Sequence, residues 1–223
     1  MTFLAPAQGY ALWAPTYAAE TAVSALEAAV VASLHVPLAG KRVLDVGCGI
    51  ARRLASARDA GASVALGLDL TPAMLTQARG EPLLAAADAR ALPVVDGAFD
   101  VVWCRLVLGH LPALEPAYHE LARVCTPDGL VLVTDFHPAA ATAGHRRTFR
   151  DAGGELHELE NHAHRVLAHR AAAARAGLSL RERRDGTVDD TVRGFYERAG
   201  RLDVYEHQRG LPLVLALVFA RAR

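Results

Sequence analysis

A chain of 223 residues that is 52% hydrophobic and 22% charged has the apolar surface for one sizeable core, which excludes an intrinsically disordered polymer. Lys+Arg 24 balances Asp+Glu 24, so charge gives no case for nucleic acid or an anionic membrane as the main partner. Cys48, Cys104 and Cys125 lack C-x-x-C spacing, which argues against a disulfide framework and against structural zinc. The N-terminus lacks a basic, then apolar, leader, and the apolar run from Leu211 is about half the ~20 residues that span a bilayer. The expectation is a soluble, cytoplasmic chain.

Val23, Leu26, Val30 and Leu34 recur at helical spacing and predict an amphipathic helix within 18–35. "KRVLDV" is continuously apolar apart from its charges and reads as a buried strand. "IARRLASARDAGA" reads as a helix closed by Gly61, and "SVALGLDL" as a second buried strand. Thr71 can then cap a helix with Pro72 in its first turn. "PLLAAAD" is a weaker third strand, "AFDVVWC" a fourth, "LPALEPAYHELARVC" a helix and "GLVLVTDF" a fifth strand. Strands alternating with helices imply a mostly parallel sheet with helices on both faces. Residues 137–161 break this rhythm and are too long for an ordinary connection, as lids often are. "HRVLAHRAAAARAGL" is helical again, "LSLRERR" strand-like, 189–200 helical and "PLVLALVFARA" a last strand.

The stretch "RVLDVGCGIARRL", residues 42–54, is the most specific. Gly47 and Gly49 suit a dinucleotide turn, but Arg52 stands where that turn needs a small residue. Asp45, before the first glycine, would also repel a pyrophosphate. An acid there suits a cationic ligand without phosphate, and S-adenosylmethionine is one. Asp69, at the end of the second strand, can accept from ribose hydroxyls, and Asp88, after the third, from an adenine amino group.

These residues resemble the class I S-adenosylmethionine-dependent methyltransferases of the small-molecule, type 11-like kind. "DVGCGIA", "LGLDLTPAML", "DARALPVVDGAFDVVWC" and "LARVCTPDGLVLVTDF" match that family's blocks in order, over roughly residues 40–136. The family pattern ends in glycine where this chain has Ala51, and alanine costs nothing there if the position already lies in the first helical turn. The resemblance implies a doubly wound α/β, Rossmann-like fold: a mostly parallel seven-stranded sheet with a substrate-covering insertion after the fifth strand. One methyltransferase domain over 1–223 would comprise a lid and helix at 1–36, a cofactor half at 37–136, the insertion at 137–161 and C-terminal elements from 162. It implies S-adenosylmethionine as cofactor, with Asp45, Gly47 and Gly49 at the methionine end, Asp69 at the ribose and Asp88 with Ala89 at the adenine. Cys48, Leu70 and Arg105 are counted with these. "YALWAPTY" resembles a segment of small-molecule methyltransferases, notably quinone C-methyltransferases and the enzymes that esterify malonyl carrier protein, and implies that Tyr10 and Tyr17 fold over the cofactor.

The acceptor of such an enzyme is met beyond the carboxyl ends of the later strands. "TDFHP" places Phe136 and His137 there, and "WCRLVLGH" places Arg105 and His110. His137 is the first candidate base and His164 the second, since an imidazole pKa of about 6.5 suits proton removal from a hydroxyl or carbon acid. His110, Phe136 and His162 are candidate acceptor-lining residues. Glu158, Glu160, His162 and His164 would share a face if extended, but no metal is expected. The expected activity is methyl transfer to an oxygen or carbon nucleophile of a small molecule, with no nucleic acid or membrane partner. The alternatives are esterification of a carboxylate, which needs no base, and binding of S-adenosylmethionine without methylation.

Overall fold

The computed structural model of the chain describes residues 2–80 and 82–221. In chain order the elements are β1 (Thr2–Leu4), α1 (Pro6–Trp13), α2 (Ala22–Ala32), β2 (Arg42–Val46), α3 (Arg52–Asp59), β3 (Val64–Asp69) and α4 (Pro72–Leu75). β4 (Leu83–Ala86), β5 (Phe99–Arg105), α5 (Glu115–Val124), β6 (Cys125–Phe136), α6 (Pro138–Thr142), β7 (Thr148–Arg150) and β8 (Leu156–Leu159) follow. The chain closes with α7 (Val166–Arg175), β9 (Leu178–Thr187), α8 (Asp190–Arg198), α9 (Leu202–Gln208) and β10 (Pro212–Arg221).

Seven strands form one sheet in the order β4-β3-β2-β5-β6-β10-β9. The first five run parallel, and β10 lies antiparallel to both β6 and β9. The strand order reverses beside β2, so the crevice beyond Val46 is where a ligand is met in such a sheet. Continuous apolar runs explain the central strands: β5 and β10 are buried on both faces. Alternate residues face opposite layers. Leu44, Val102, Val131 and Val133 pack with Tyr118 and Leu121 of α5 and Ala172 and Ala173 of α7. Val43, Val101, Trp103 and Leu132 face the other way, toward Leu34, Leu54 and Ala57.

Local chemistry fixes the helices that border the site. Thr21 and Ser24 form a reciprocal capping box that starts α2. α5 buries Ala117, Tyr118, Leu121, Ala122 and Val124 along one stripe. On the second face α2 packs against β9, β10 and α8, whereas α3 packs against β2 and β3. A gap therefore opens between them over β5 and β6. α9 is not foreseen from the sequence, because Tyr205 is its only buried residue and no periodic stripe marks it.

The 137–161 segment does not stand alone. It supplies β7 and β8, and β1 adds to β8 in parallel to give a separate three-stranded sheet. Among the described residues, no helix is long and apolar enough to cross a membrane.

Candidate active site

After β2 the chain turns through Gly47, Cys48 and Gly49 into α3. Gly47 (φ +74°) and Gly49 (φ +56°) hold left-handed backbone. A Cβ on Gly47 would also strike the Val107 side chain. Asp69 faces this turn, and its carboxylate accepts the Gly49 and Thr71 backbone N–H groups, each at 2.8 Å. Burial pushes the Asp69 carboxyl up, and those two N–H bonds with the Arg53 charge oppose the rise.

Asp45 has no such donors. Both its carboxylate oxygens are buried without a hydrogen-bond partner, and Arg53 Nη1 is 3.8 Å away. Burial raises its carboxyl, while Arg53 and Arg105 pull it down. A buried acid lacking donors is costly, and a cationic group seated at the turn offsets that cost. Ala51 corrects the expectation made for it: it precedes α3 at φ +62°, ψ +18°, in left-handed backbone rather than in the helical turn. That conformation costs an alanine about 1–2 kcal/mol.

Two cavities meet beside this turn. The smaller, about 250 Å³, is lined by Tyr10, Tyr17, Gly47, Gly49, Asp69, Leu70, Asp88, Ala89 and His110 among others. The larger, about 800 Å³, fills the gap between α2 and α3 over Trp103 and Leu132. Tyr17, Arg53, Arg105 and Leu106 line both, so the two volumes share a wall at the carboxyl edge of the sheet. Arg105 is held in that wall by Glu27, which accepts its Nε and Nη2 at 2.7 Å each and the Thr134 hydroxyl at 2.8 Å. Burial pushes the Glu27 carboxyl up, but the Arg105 bonds and the Arg53 charge overcome this and hold it below the usual carboxylate range.

Residues 44–133 match the family described as "Methyltransferase domain". A malonyl-[acyl-carrier protein] O-methyltransferase of Pseudescherichia vulneris is 35% identical over 136 residues, 60% of this chain and 53% of that protein. A demethylmenaquinone methyltransferase of Thermus thermophilus is 39% identical over 114 residues, 47% of this chain and 51% of that protein. The chain thus spans about half the length of these relatives. Over residues 44–133 the chain is similar to a methyltransferase domain. Among solved structures, an S-adenosylmethionine-dependent methyltransferase from Mesorhizobium loti superposes with TM-score 0.69 at 22% identity, covering 88% of this chain and 98% of that one. The [4+2]-cyclase SpnF does so with TM-score 0.68 at 19% identity, covering 100% of this chain and 99% of that one. The fold is shared with both, and fold alone does not choose between their chemistries.

The roof of the smaller cavity is a relay of hydrogen bonds that joins the expected Tyr10 and His110 to Arg147, which was not expected. Burial, with the Arg147 charge, pulls the His110 imidazole down to about 4, so it is neutral at pH 7. Its Nδ1 is 2.9 Å from the Glu160 carbonyl, which can only accept, so Nδ1 carries the proton. Nε2 must then accept from the Tyr10 hydroxyl at 2.9 Å. The Tyr10 oxygen in turn accepts from Arg147 Nη2 at 3.0 Å, and the same nitrogen reaches the Leu106 carbonyl at 3.2 Å. Tyr17, beside Tyr10 and half-buried, has its hydroxyl pushed up to about 12 by desolvation first and by Tyr10 second. Trp13 stacks on Phe149 with ring centroids 4.9 Å apart, which pins α1 to the insertion.

The structure separates the other expected site residues. His137 lines neither cavity: its Nδ1 accepts the Ala139 N–H at 3.1 Å and caps α6, and its Nε2 lies 3.9 Å from Asp185. Burial lowers its imidazole, opposed by Asp185. Pro138 fixes the residue as expected, but as a helix cap. His164 donates Nε2–H to the Leu111 carbonyl at 2.8 Å, and His162 sits 3.4 Å from Glu160; neither lines a cavity. Phe136 lines the larger volume, as does Cys48, which sits in the turn between Gly47 and Gly49 of the smaller one. Burial, then Asp45, raises the Cys48 thiol. Asp88 lines the smaller cavity with Arg90 already bonded to both its oxygens, which holds its carboxyl low.

Glu158, Glu160, His162 and His164 do not gather into one ligand set. Asp151, Glu155 and His157 bring donor atoms within 4.8 Å of one another, but His157 Nε2 is bonded to Asp151 at 2.8 Å. Arg53, Glu27, Arg147 and His145, which lines the larger cavity, are the site residues that sequence reasoning missed.

Proposed function

We propose that this chain transfers a methyl group from S-adenosylmethionine to an oxygen or carbon nucleophile of a small molecule in the cytoplasm. One observation carries the reading: an acid with both oxygens buried and without a donor, set under a glycine turn that faces a second acid. Asp45 would answer the ammonium and Arg53 the carboxylate of the methionine end, with Gly47 and Gly49 allowing close approach. Asp69 would take the ribose hydroxyls on its remaining lone pairs. Leu70 and Ala89 would flank the adenine, and Asp88 would share its carboxylate between Arg90 and the amino group. Bound there, the cofactor would supply an electrophilic methyl group at the shared wall of the two cavities.

The chain's own contribution is position and dryness. Tyr10, Tyr17 and His110 close the cofactor side, and a nucleophile held at Arg105 and Leu106 would meet the methyl group away from water. A second reading, esterification of a carboxylate, is favoured by the arginines at this wall, since an anionic acceptor needs no base. Label from the methyl group of S-adenosylmethionine, followed into a metabolite extract, tests the function. Transfer to a small molecule is the expected result, and binding of the cofactor without transfer would make the chain a binding protein instead.

A further inference from the structure

The larger cavity extends well below the carboxyl edge of the sheet, where ligands of this architecture normally stop. Its upper end carries Arg52, Arg105 and Arg147, and its lower end runs over the partnered pair Trp103 and Leu132 to Leu34 and Leu38. Among the described residues, Arg52 and Arg147 have no carboxylate partner, and Arg105 spends only Nε and Nη2 on Glu27. Glu20 and Glu27 also line the cavity, but the arginines outnumber them, so it is net cationic where it meets the cofactor pocket and apolar where it runs down the face of β5 and β6. Its volume of about 800 Å³ is at the upper end of small-molecule sites.

We propose that this groove holds the body of the methyl acceptor, and that the acceptor is an amphiphile with a carboxylate head and an extended apolar chain. The head stands among Arg52, Arg105 and Arg147 beside the cofactor pocket, and the chain lies between α2 and α3 on Trp103 and Leu132. Adjacency to the cofactor pocket selects this occupant over a protein segment, because the residues that line both cavities put the head next to the transferable methyl group. The charge gradient sets the direction: a chain pointing upward would bury apolar surface against arginines and leave Arg52 and Arg147 without an anion. The inference rests on the methyltransferase reading and narrows its acceptor.

The test titrates the full chain with straight-chain fatty carboxylates from octanoate to palmitate, with S-adenosylhomocysteine titrated in parallel. Affinity is expected to rise about fourfold per added methylene until the groove is filled. Ala28 and Ser56 stand on the exposed rims of α2 and α3, so Ala28→Trp and Ser56→Trp can fill the groove without removing a core contact. Each should weaken palmitate at least tenfold and leave S-adenosylhomocysteine binding unchanged. Arg147→Met should weaken every carboxylate by a similar factor and spare the matching alcohols. Affinity independent of chain length, or palmitate binding unmoved by both tryptophans, overturns the groove; equal loss for alcohols overturns the carboxylate head. The chain-length series on the unaltered protein decides even if a variant fails to fold. Loss of S-adenosylhomocysteine binding by the unaltered protein would instead strike the methyltransferase reading.

Discussion

The two cavities are built from different kinds of sequence. The floor of the smaller is made of short runs at the ends of β2, β3, β4 and β5, where a glycine, an acid or a turn residue has a local reason to be present, and α1 with Tyr17 closes over it. The larger is assembled from α2, α3, the middle of the sheet and the 145–148 stretch, which are far apart in the chain. One is set by backbone geometry and fixed charges; the other by which helix fails to cover which strand. The comparison teaches that the proposed cofactor pocket has a locally written floor, while the proposed acceptor groove depends on tertiary placement.

The wall between the cavities offers the sharpest way to break this picture. Glu27 and Arg105 are almost fully buried, so removing one partner strands a charge. Glu27→Ala should lower stability by about 3–5 kcal/mol in urea denaturation. The double variant Glu27→Met with Arg105→Leu should lose much less, because no charge is then left unpaired. Equal losses for single and double variants would mean that packing, not the ion pair, holds the wall.

On the cofactor side, Asp69→Ala strips the acceptor from the Gly49 and Thr71 N–H groups and from the proposed ribose. Calorimetry should show S-adenosylhomocysteine weakened by about 1.5–3 kcal/mol, the value of a hydrogen bond to a charged group. Unchanged affinity would move the ribose elsewhere. Tyr10→Phe cuts the middle of the roof relay and should cost about 0.5–1.5 kcal/mol per lost bond, read as a lower Tm.

The same relay gives a pH dependence. The folded His110 imidazole lies near 4, below its unfolded value of about 6.5, so the unfolded chain binds the extra proton first. Its contribution is whole above pH 6.5 and is lost as pH falls toward 4. His110→Phe should flatten that part of the acid slope, and a slope identical to the parent's would assign the effect to other groups. The smallest effect belongs to Ala51→Gly. Relief of left-handed backbone, about 1–2 kcal/mol, is offset by the buried methyl, about 0.8 kcal/mol, and by the looser unfolded chain. Stability should therefore move by less than about 1 kcal/mol. A larger gain would show that Ala51 carries more strain than its φ implies.

Legibility follows the same division. The β2 turn could be read because Asp45, Gly47 and Gly49 sit within five residues of one another and each has a backbone or charge reason. Asp69 and Asp88 followed from strand ends. Glu27 was hidden inside the apolar helix "SALEAAVVASL", although a lone acid between Leu26 and Ala28 on that buried stripe was the available signal. Arg147 and His145 lay in "GHRRTF", a stretch without periodicity whose partners are distant Tyr10 and Leu106. His137 misled because its position after the fifth predicted strand was right, but its ring turned to cap the next helix. Ala51 misled because a helix boundary read from sequence is uncertain by more than the one residue that mattered.

The central claim is that the glycine turn, with an acid beneath it and another facing it, selects a cationic, phosphate-free nucleoside ligand over a dinucleotide. Parallel calorimetric titrations of the unaltered chain with S-adenosylhomocysteine and with NAD test it directly. The account predicts saturable binding of S-adenosylhomocysteine and far weaker or undetectable binding of NAD. Tighter binding of NAD would contradict it.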